Sequence, residues 1–353
     1  MRRIPVESIV EGQILAKPLY NDTGGLLIAK DIPLTQKNIE KIKELGFSCV
    51  FINDEYTKDE IIEVIKPTLI KDVMNISTKM LSLSSYNANK KTENYLYELK
   101  NIIDEILDEI FSIDEILYSL IDTLRFDDYT YKHSVNVMIL SLMIGKKHGL
   151  NRIQLKKLAI GSLFHDVGKM FIPKEILNKK GKLTEQEFET IKKHPKLGFD
   201  FLKEIPTLSA TERIVALEHH ERFDGKGYPY EKKDKQIHLY SKIVSICDVF
   251  EALISDRPYR KAVPVNEARE YILGGGGSLF DIEVVKTFSE TINPFPIGTL
   301  VELSNGKKAK VIGVNKEFLQ SPIVIIYDDN NKYKVNLKNK TNITIKNIIY
   351  NIS

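Results

Sequence analysis

The 353-residue chain contains no tryptophan and only two cysteines, Cys49 and Cys247, which are too far apart in sequence to form a metal-ligand pair. That excludes a disulfide framework and a cysteine-zinc site, and a reducing cytoplasm is the simplest compartment. No apolar run reaches the roughly 18 residues that a membrane-spanning helix needs. The first residues, MRRIPVESIVEG, meet acid and glycine before any apolar signal-peptide core forms. Excess charge is missing as well. A net charge of +3 gives no general affinity for nucleic acid or membrane, and no basic recognition helix or glycine-rich Walker loop occurs.

What remains is an ordinary globular composition, 42% hydrophobic and 28% charged, whose pattern changes along the chain. Residues 1–56 read as a small α+β module, with β-like pieces around an amphipathic helix that opens on Thr35 and closes on Gly46. Asn-Asp-Thr-Gly-Gly at 21–25 reads as a hairpin turn. Residues 57–114 form a helical linker, with a polar, joint-like stretch at SLSSYNANKKTEN. Leu99, Ile103, Ile106, Ile110, Ile113, Leu117, Leu120 and Leu124 then step by alternating fours and threes. Such a seam makes either a homodimer through the 94–125 helix or a face docked on its own domain. Residues 115–292 are mostly helix-periodic. Residues 293–353 show short alternating runs separated by turns, the pattern of a small β-barrel-like module. Its nine lysines against four acids read as a solvated basic surface.

The chemistry gathers in the helical region. SLFHDVGK places His165 and Asp166 side by side after an apolar helical stretch. An imidazole beside a carboxylate offers one terminal ligand and one group able to bridge two cations. His133, His194, His219, His220 and Asp248 join them in the order H…HD…H…HH…D. Each alone has a bland structural explanation, but seven such groups in one helical domain do not. Nitrogen and oxygen ligands without thiolate favour Fe, Mn, Co or Zn. The run GGGG at 274–277 lacks a following Lys-Ser/Thr and reads as a flexible turn.

HD followed by HHERFDGKGYP resembles the HD-GYP family, a branch of the HD superfamily of metal-dependent phosphohydrolases. Two further stretches extend the likeness, IPKEILNKKGKLTEQEFETIKKHPKLG and SICDVFEALISDRPYRKA. The resemblance implies a mainly α protein in which an all-helical HD-GYP domain is flanked by the two small modules. It implies hydrolysis of cyclic di-GMP to pGpG, with further cleavage to GMP as an extension, by a hydroxide bridging two divalent ions, Fe or Mn. His133, His165, Asp166 and Asp248 would surround one metal; Asp166, His194, His219 and His220 would surround the other. Lys169 would aim at the phosphate, Arg257 and Arg260 would grip it, and Tyr228, Gly225 and Gly227 would line the nucleotide pocket. Arg222 and Asp224 are open to a salt bridge that fixes the loop. Three-metal members carry a glutamate one turn before the first histidine, where this chain has Tyr129. Glu251 could approach a metal but lacks that partner, so two metals are expected. The alternatives are a cyclic di-GMP sensor with little turnover and a hydrolase of another cyclic dinucleotide.

Overall fold

The structure, a computed structural model, describes residues 2–20, 25–47, 49–53, 65–82, 89–112, 129–179, 181–255, 262–328 and 331–350. The chain divides into two compact units. One holds 1–63, 117–127 and 292–353; the other holds 64–116 and 128–291.

The first unit begins with β1 (Arg2–Pro5), β2 (Ile14–Leu15), β3 (Leu19–Tyr20), β4 (Leu26–Ile28), α1 (Gln36–Glu44) and β5 (Cys49–Asn53). β5 is central in an antiparallel sheet of order β1-β5-β2, and β3 pairs with β4. The turn read at 21–25 lies mostly outside the described residues. Thr35 caps α1 reciprocally with Asn38, and Gly46 leaves the helix at φ +69°, as the local signals required. Ile4, Leu15, Leu34, Ile42 and Ile52 form the core of this part, and Tyr350 packs against it.

The second unit is helical: α2 (Pro67–Ser82), α3 (Asn89–Ser112), α4 (Tyr129–Lys147), α5 (Arg152–Leu163), α6 (Lys174–Leu177), α7 (Glu185–Ile191), α8 (His194–Lys203), α9 (Ala210–Glu218), α10 (Leu239–Ile254), α11 (Val265–Gly274) and α12 (Ile282–Thr291). α4 packs on α5 and α10, and α5 packs on α9. Gly161 allows the last of these crossings, because a methyl there would lie 2.6 Å from Val215 Cγ2. α2 and α3 belong to this unit too. The described part of the seam, Leu99, Ile103, Ile106 and Ile110, is buried within the chain. Lys146 Nζ donates to the Ile110 carbonyl at 2.8 Å, and Arg152 and Lys156 bond Asp104, so polar contacts fasten α3 beside α4 and α5. Ile113, Leu117, Leu120 and Leu124 lie outside the described residues.

The chain ends in β6 (Leu300–Leu303), β7 (Lys308–Gly313), β8 (Ile323–Asp328), β9 (Asn331–Asn336) and β10 (Ile345–Ile349). They make an antiparallel sheet of order β10-β6-β7-β8-β9 around Val301, Leu303, Ala309, Val311, Val324 and Ile326. Alternation inside and out produces this sheet, as the short runs implied. Among the described residues no helix is long and apolar enough to cross a membrane.

Candidate metal centre

His165 and Asp166 follow α5 directly, where the helix has ended and the backbone turns through Phe164 (φ −106°, ψ 14°) and Asp166 (φ −99°, ψ 6°). A 3-10 turn over Val167–Phe171 then runs against the start of α8. The contact is backbone on backbone. A methyl at Gly168 would sit 1.9 Å from the His194 carbonyl oxygen, so only glycine lets Asp166 approach His194. α9 ends at Glu218 and delivers His219 and His220; α4 delivers His133 and α10 delivers Asp248.

The histidines share one habit. Nδ1 of His165 lies 2.7 Å from the Ser162 carbonyl, that of His194 is 2.8 Å from Ile191 O, and that of His219 is 3.0 Å from Ala216 O. A carbonyl only accepts, so Nδ1 carries the proton in each ring and Nε2 presents a lone pair. His133 uses Nδ1 on a carboxylate oxygen of Glu251 instead. The Nε2 atoms converge on Asp166. Its Oδ1 lies 3.3 Å from His194 Nε2 and 3.6 Å from His219 Nε2; its Oδ2 lies 3.4 Å from His165 Nε2 and 3.8 Å from His133 Nε2. Asp248 Oδ1 stands 3.1 Å from His133 Nε2 and 3.9 Å from His165 Nε2.

Two sets result: Asp166, His194, His219 and His220, and His133, His165 and Asp248. Within each, the ligand atoms lie within 4.8 Å of one another. Asp166 faces one set with each oxygen. The residues fit cations on chemical grounds. His194 Nε2 and His219 Nε2 are 3.3 Å apart, and their tethers leave both as acceptors with no proton to share. His165 Nε2 and Asp166 Oδ1 are buried with no hydrogen-bond partner among the described residues. Buried lone pairs facing each other are costly without a partner, and a cation among them would supply it.

The protonation tendencies agree. Burial, aided by His165 and His194, pushes His219 down to about 4, and burial also drives His220 well below its usual range. Both are neutral ligands at pH 7. Burial opposes the charge of His133, but Glu251 and Asp248 outweigh it and raise the imidazole to about 10. Burial likewise opposes ionisation of Asp166, yet Lys169 and His165 hold it well below the carboxylate range.

The neighbouring residues are also in place. Lys169 Nζ is 2.5 Å from Asp166 Oδ2, so its ammonium is already paired at the shared carboxylate. Tyr228 stacks on His220, with ring centroids 4.7 Å apart. Arg222 and Asp224 form the loop-fixing ion pair at 2.7 Å. Gly225 adopts φ +80°. A methyl at Gly227 would lie 2.3 Å from Arg222 N, so the loop's own backbone occupies that space. Arg257 and Arg260 lie outside the described residues, as do the side chains of 129–132, so Tyr129 is placed by its backbone alone in the first turn of α4.

Two readings gain detail. Among the described residues, the oxygens of Glu251 accept from His133, from Asn136 Nδ2 at 3.0 Å and from Ser255 Oγ at 2.7 Å. It orients His133 rather than offering a free ligand. The GGGG run is a hydrogen-bonded turn rather than a flexible one. Gly277 N donates to Phe280 O at 2.8 Å, and the carbonyls of Ser278 and Leu279 accept from Asp224 and Phe223, clamping the loop that follows His220. Sequence reading also missed Glu218 and Glu221, both buried. Glu221 accepts from the amides of Tyr230 and Lys232, and Glu218 from Lys232 Nζ and the amide of His238, so the loop is tied back to the histidine pair. The only signal was that each acid adjoins that pair.

Residues 120–284 match a family model described as HD domain. A cyclic di-GMP phosphodiesterase, PA4108 of Pseudomonas aeruginosa, is 35% identical over 227 residues, 64% of this chain and 55% of that protein. A cyclic di-GMP phosphodiesterase of Thermotoga maritima is 32% identical over 270 residues, 71% and 73% of the two chains. A 3′3′-cGAMP-specific phosphodiesterase 1 of Vibrio cholerae is 37% identical over 161 residues, 46% and 37% of the two chains. The chain thus spans little more than half of the Pseudomonas protein and about three quarters of the Thermotoga one.

Proposed function

From a chain that belongs to the HD-GYP branch of the HD-domain family, we propose a metal-dependent phosphodiesterase that hydrolyses one 3′–5′ bond of cyclic di-GMP to linear pGpG and can continue to GMP. The observation that carries the reading is the pair of inward lone pairs on His194 and His219, 3.3 Å apart beside an unpartnered Asp166 oxygen. His133, His165 and Asp248 would hold one divalent ion and His194, His219 and His220 the other, with Asp166 shared between them. A set of imidazoles and carboxylates without thiolate suits Fe or Mn. When bound, such a pair supplies Lewis acidity toward the phosphoryl oxygens and a nucleophile from water at neutral pH.

The chain's own groups do the rest. Backbone carbonyls fix the tautomers of His165, His194 and His219, and Glu251 orients His133, which gives up its extra proton when a cation takes its place. Lys169 places a cation beside Asp166, where negative charge grows in phosphoryl transfer. Tyr228 shapes the wall next to His220, and Arg257 and Arg260, outside the described residues, would supply the phosphate-gripping charge that the family motif assigns them. The names of the Pseudomonas and Thermotoga relatives support cyclic di-GMP over other substrates. The Vibrio relative supports a mixed cyclic dinucleotide as the second reading. A sensor without turnover is disfavoured, because all seven ligands are present. The test is turnover of cyclic di-GMP by protein loaded with Fe(II) or Mn(II) without oxygen. Wild type should consume it, and His165→Ala should be slower by at least about a hundredfold. Intact cyclic di-GMP with both proteins would sink the proposal.

A further inference from the structure

A row of contacts leads outward from the ligand set. Tyr228 stacks on His220 at 4.7 Å, the Lys192 ammonium lies over the Tyr228 ring at 5.8 Å, and the same ammonium lies over the Phe188 ring at 4.9 Å. Phe188 is on α7 and Lys192 just follows it, one turn on, so helical spacing sets the two side by side. Phe188 is 45% exposed, although a ring of that size is normally covered. The hydrogen-bonding partner of Lys192 is Glu189 at 2.6 Å, whose side chain is 64% exposed; such a surface pair contributes little and releases easily.

A cation held among aromatic faces, one ring removed from a ligand histidine, is suited to a base rather than to the phosphate under attack. Lysine donates well to the O6 and N7 acceptors that guanine displays together, whereas adenine replaces O6 with an amino donor. An exposed ring stacks on any base. Resting on the reading of the site as a cyclic-dinucleotide phosphodiesterase, we propose that Phe188 and Lys192 form a nucleobase subsite: Phe188 supplies the platform, and Lys192 selects guanine by its O6/N7 edge.

The experiment uses full-length metal-loaded protein, with KM and kcat for cyclic di-GMP and the inhibition constant of cyclic di-AMP measured side by side. Lys192→Met should raise KM for cyclic di-GMP about tenfold with little change in kcat, and should leave cyclic di-AMP inhibition nearly as strong. Phe188→Ala should weaken both ligands together, since stacking is base-tolerant. Lys203→Met, which removes an exposed charge at the far end of the next helix, α8, should keep the wild-type preference. Equal weakening of both ligands by Lys192→Met would make the lysine a phosphate contact and overturn the proposal, as would no change. If wild type leaves cyclic di-GMP untouched, the functional reading fails and the subsite with it. If wild type turns it over but the guanine preference survives Lys192→Met, only the subsite fails.

Discussion

The two ligand sets sit on opposite oxygens of one carboxylate and are built differently. His133 is backed by Glu251 and faced by Asp248, so carboxylates surround it and its imidazole is raised to about 10. His194 and His219 are backed by backbone carbonyls, and burial keeps His219 neutral down to about 4. One set attracts positive charge strongly enough to keep a proton in the absence of metal. The other offers lone pairs that face one another and that a cation would relieve. The fold thus builds two candidate cation sites by two routes, carboxylate charge and lone-pair crowding, on either side of Asp166.

The strongest way to break the comparison is to part the sets. Gly168→Ala must move the turn carrying Asp166 away from His194, because the added methyl would overlap a backbone oxygen. Turnover should fall at least about a hundredfold, and overpacking should cost about 1–3 kcal/mol of stability, read by chemical denaturation. Milder, and confined to the carboxylate-backed set, is Glu251→Gln. It keeps the shape but removes the charge behind His133. Metal affinity of that set should drop roughly 10- to 100-fold in a competitive chelator titration, while the set of His194 and His219 keeps its own.

The smallest effect sharpens the contrast through pH. His133 is raised above its ordinary 6.5, so it lends the metal-free fold stability that is complete below that value and is lost as pH climbs toward about 10. His219 is lowered, so the unfolded chain takes up the extra proton, and stability falls as pH drops from 6.5 toward about 4. Thermal melts of chelator-treated protein should therefore peak near neutrality. His219→Gln should flatten the acid limb and Glu251→Gln the alkaline limb. Equal changes on both limbs would show that the sets do not differ in this way.

Local signals were readable in the chain to the extent that their physics is local. Thr35 and Gly46 bound α1 because capping needs only neighbouring residues. The ligand candidates were legible because metal chemistry permits few residue types and the HD and HHERFDGKGYP motifs set their order. What escaped depends on distant packing. The seam from Leu99 to Ile110 satisfies both a coiled coil and a docked helix, and nothing local in the chain announces that its described part packs against α2 and α5, fastened by Lys146, Arg152 and Lys156. Glu251 meets His133 across 118 residues, so no spacing in the chain announces it as an orienting group. The glycine run resembled a loose turn because Phe223 and Asp224, which bond Ser278 and Leu279 just after it, lie about fifty residues upstream.

The central claim is that two sets sharing Asp166 hold two cations. Metal content per chain, measured on protein prepared without oxygen and passed through a desalting column, tests it most directly. The account predicts two ions in wild type and one in His219→Ala, with the remaining ion still lost on Asp248→Asn. Three ions in wild type, or two retained in His219→Ala, would contradict it.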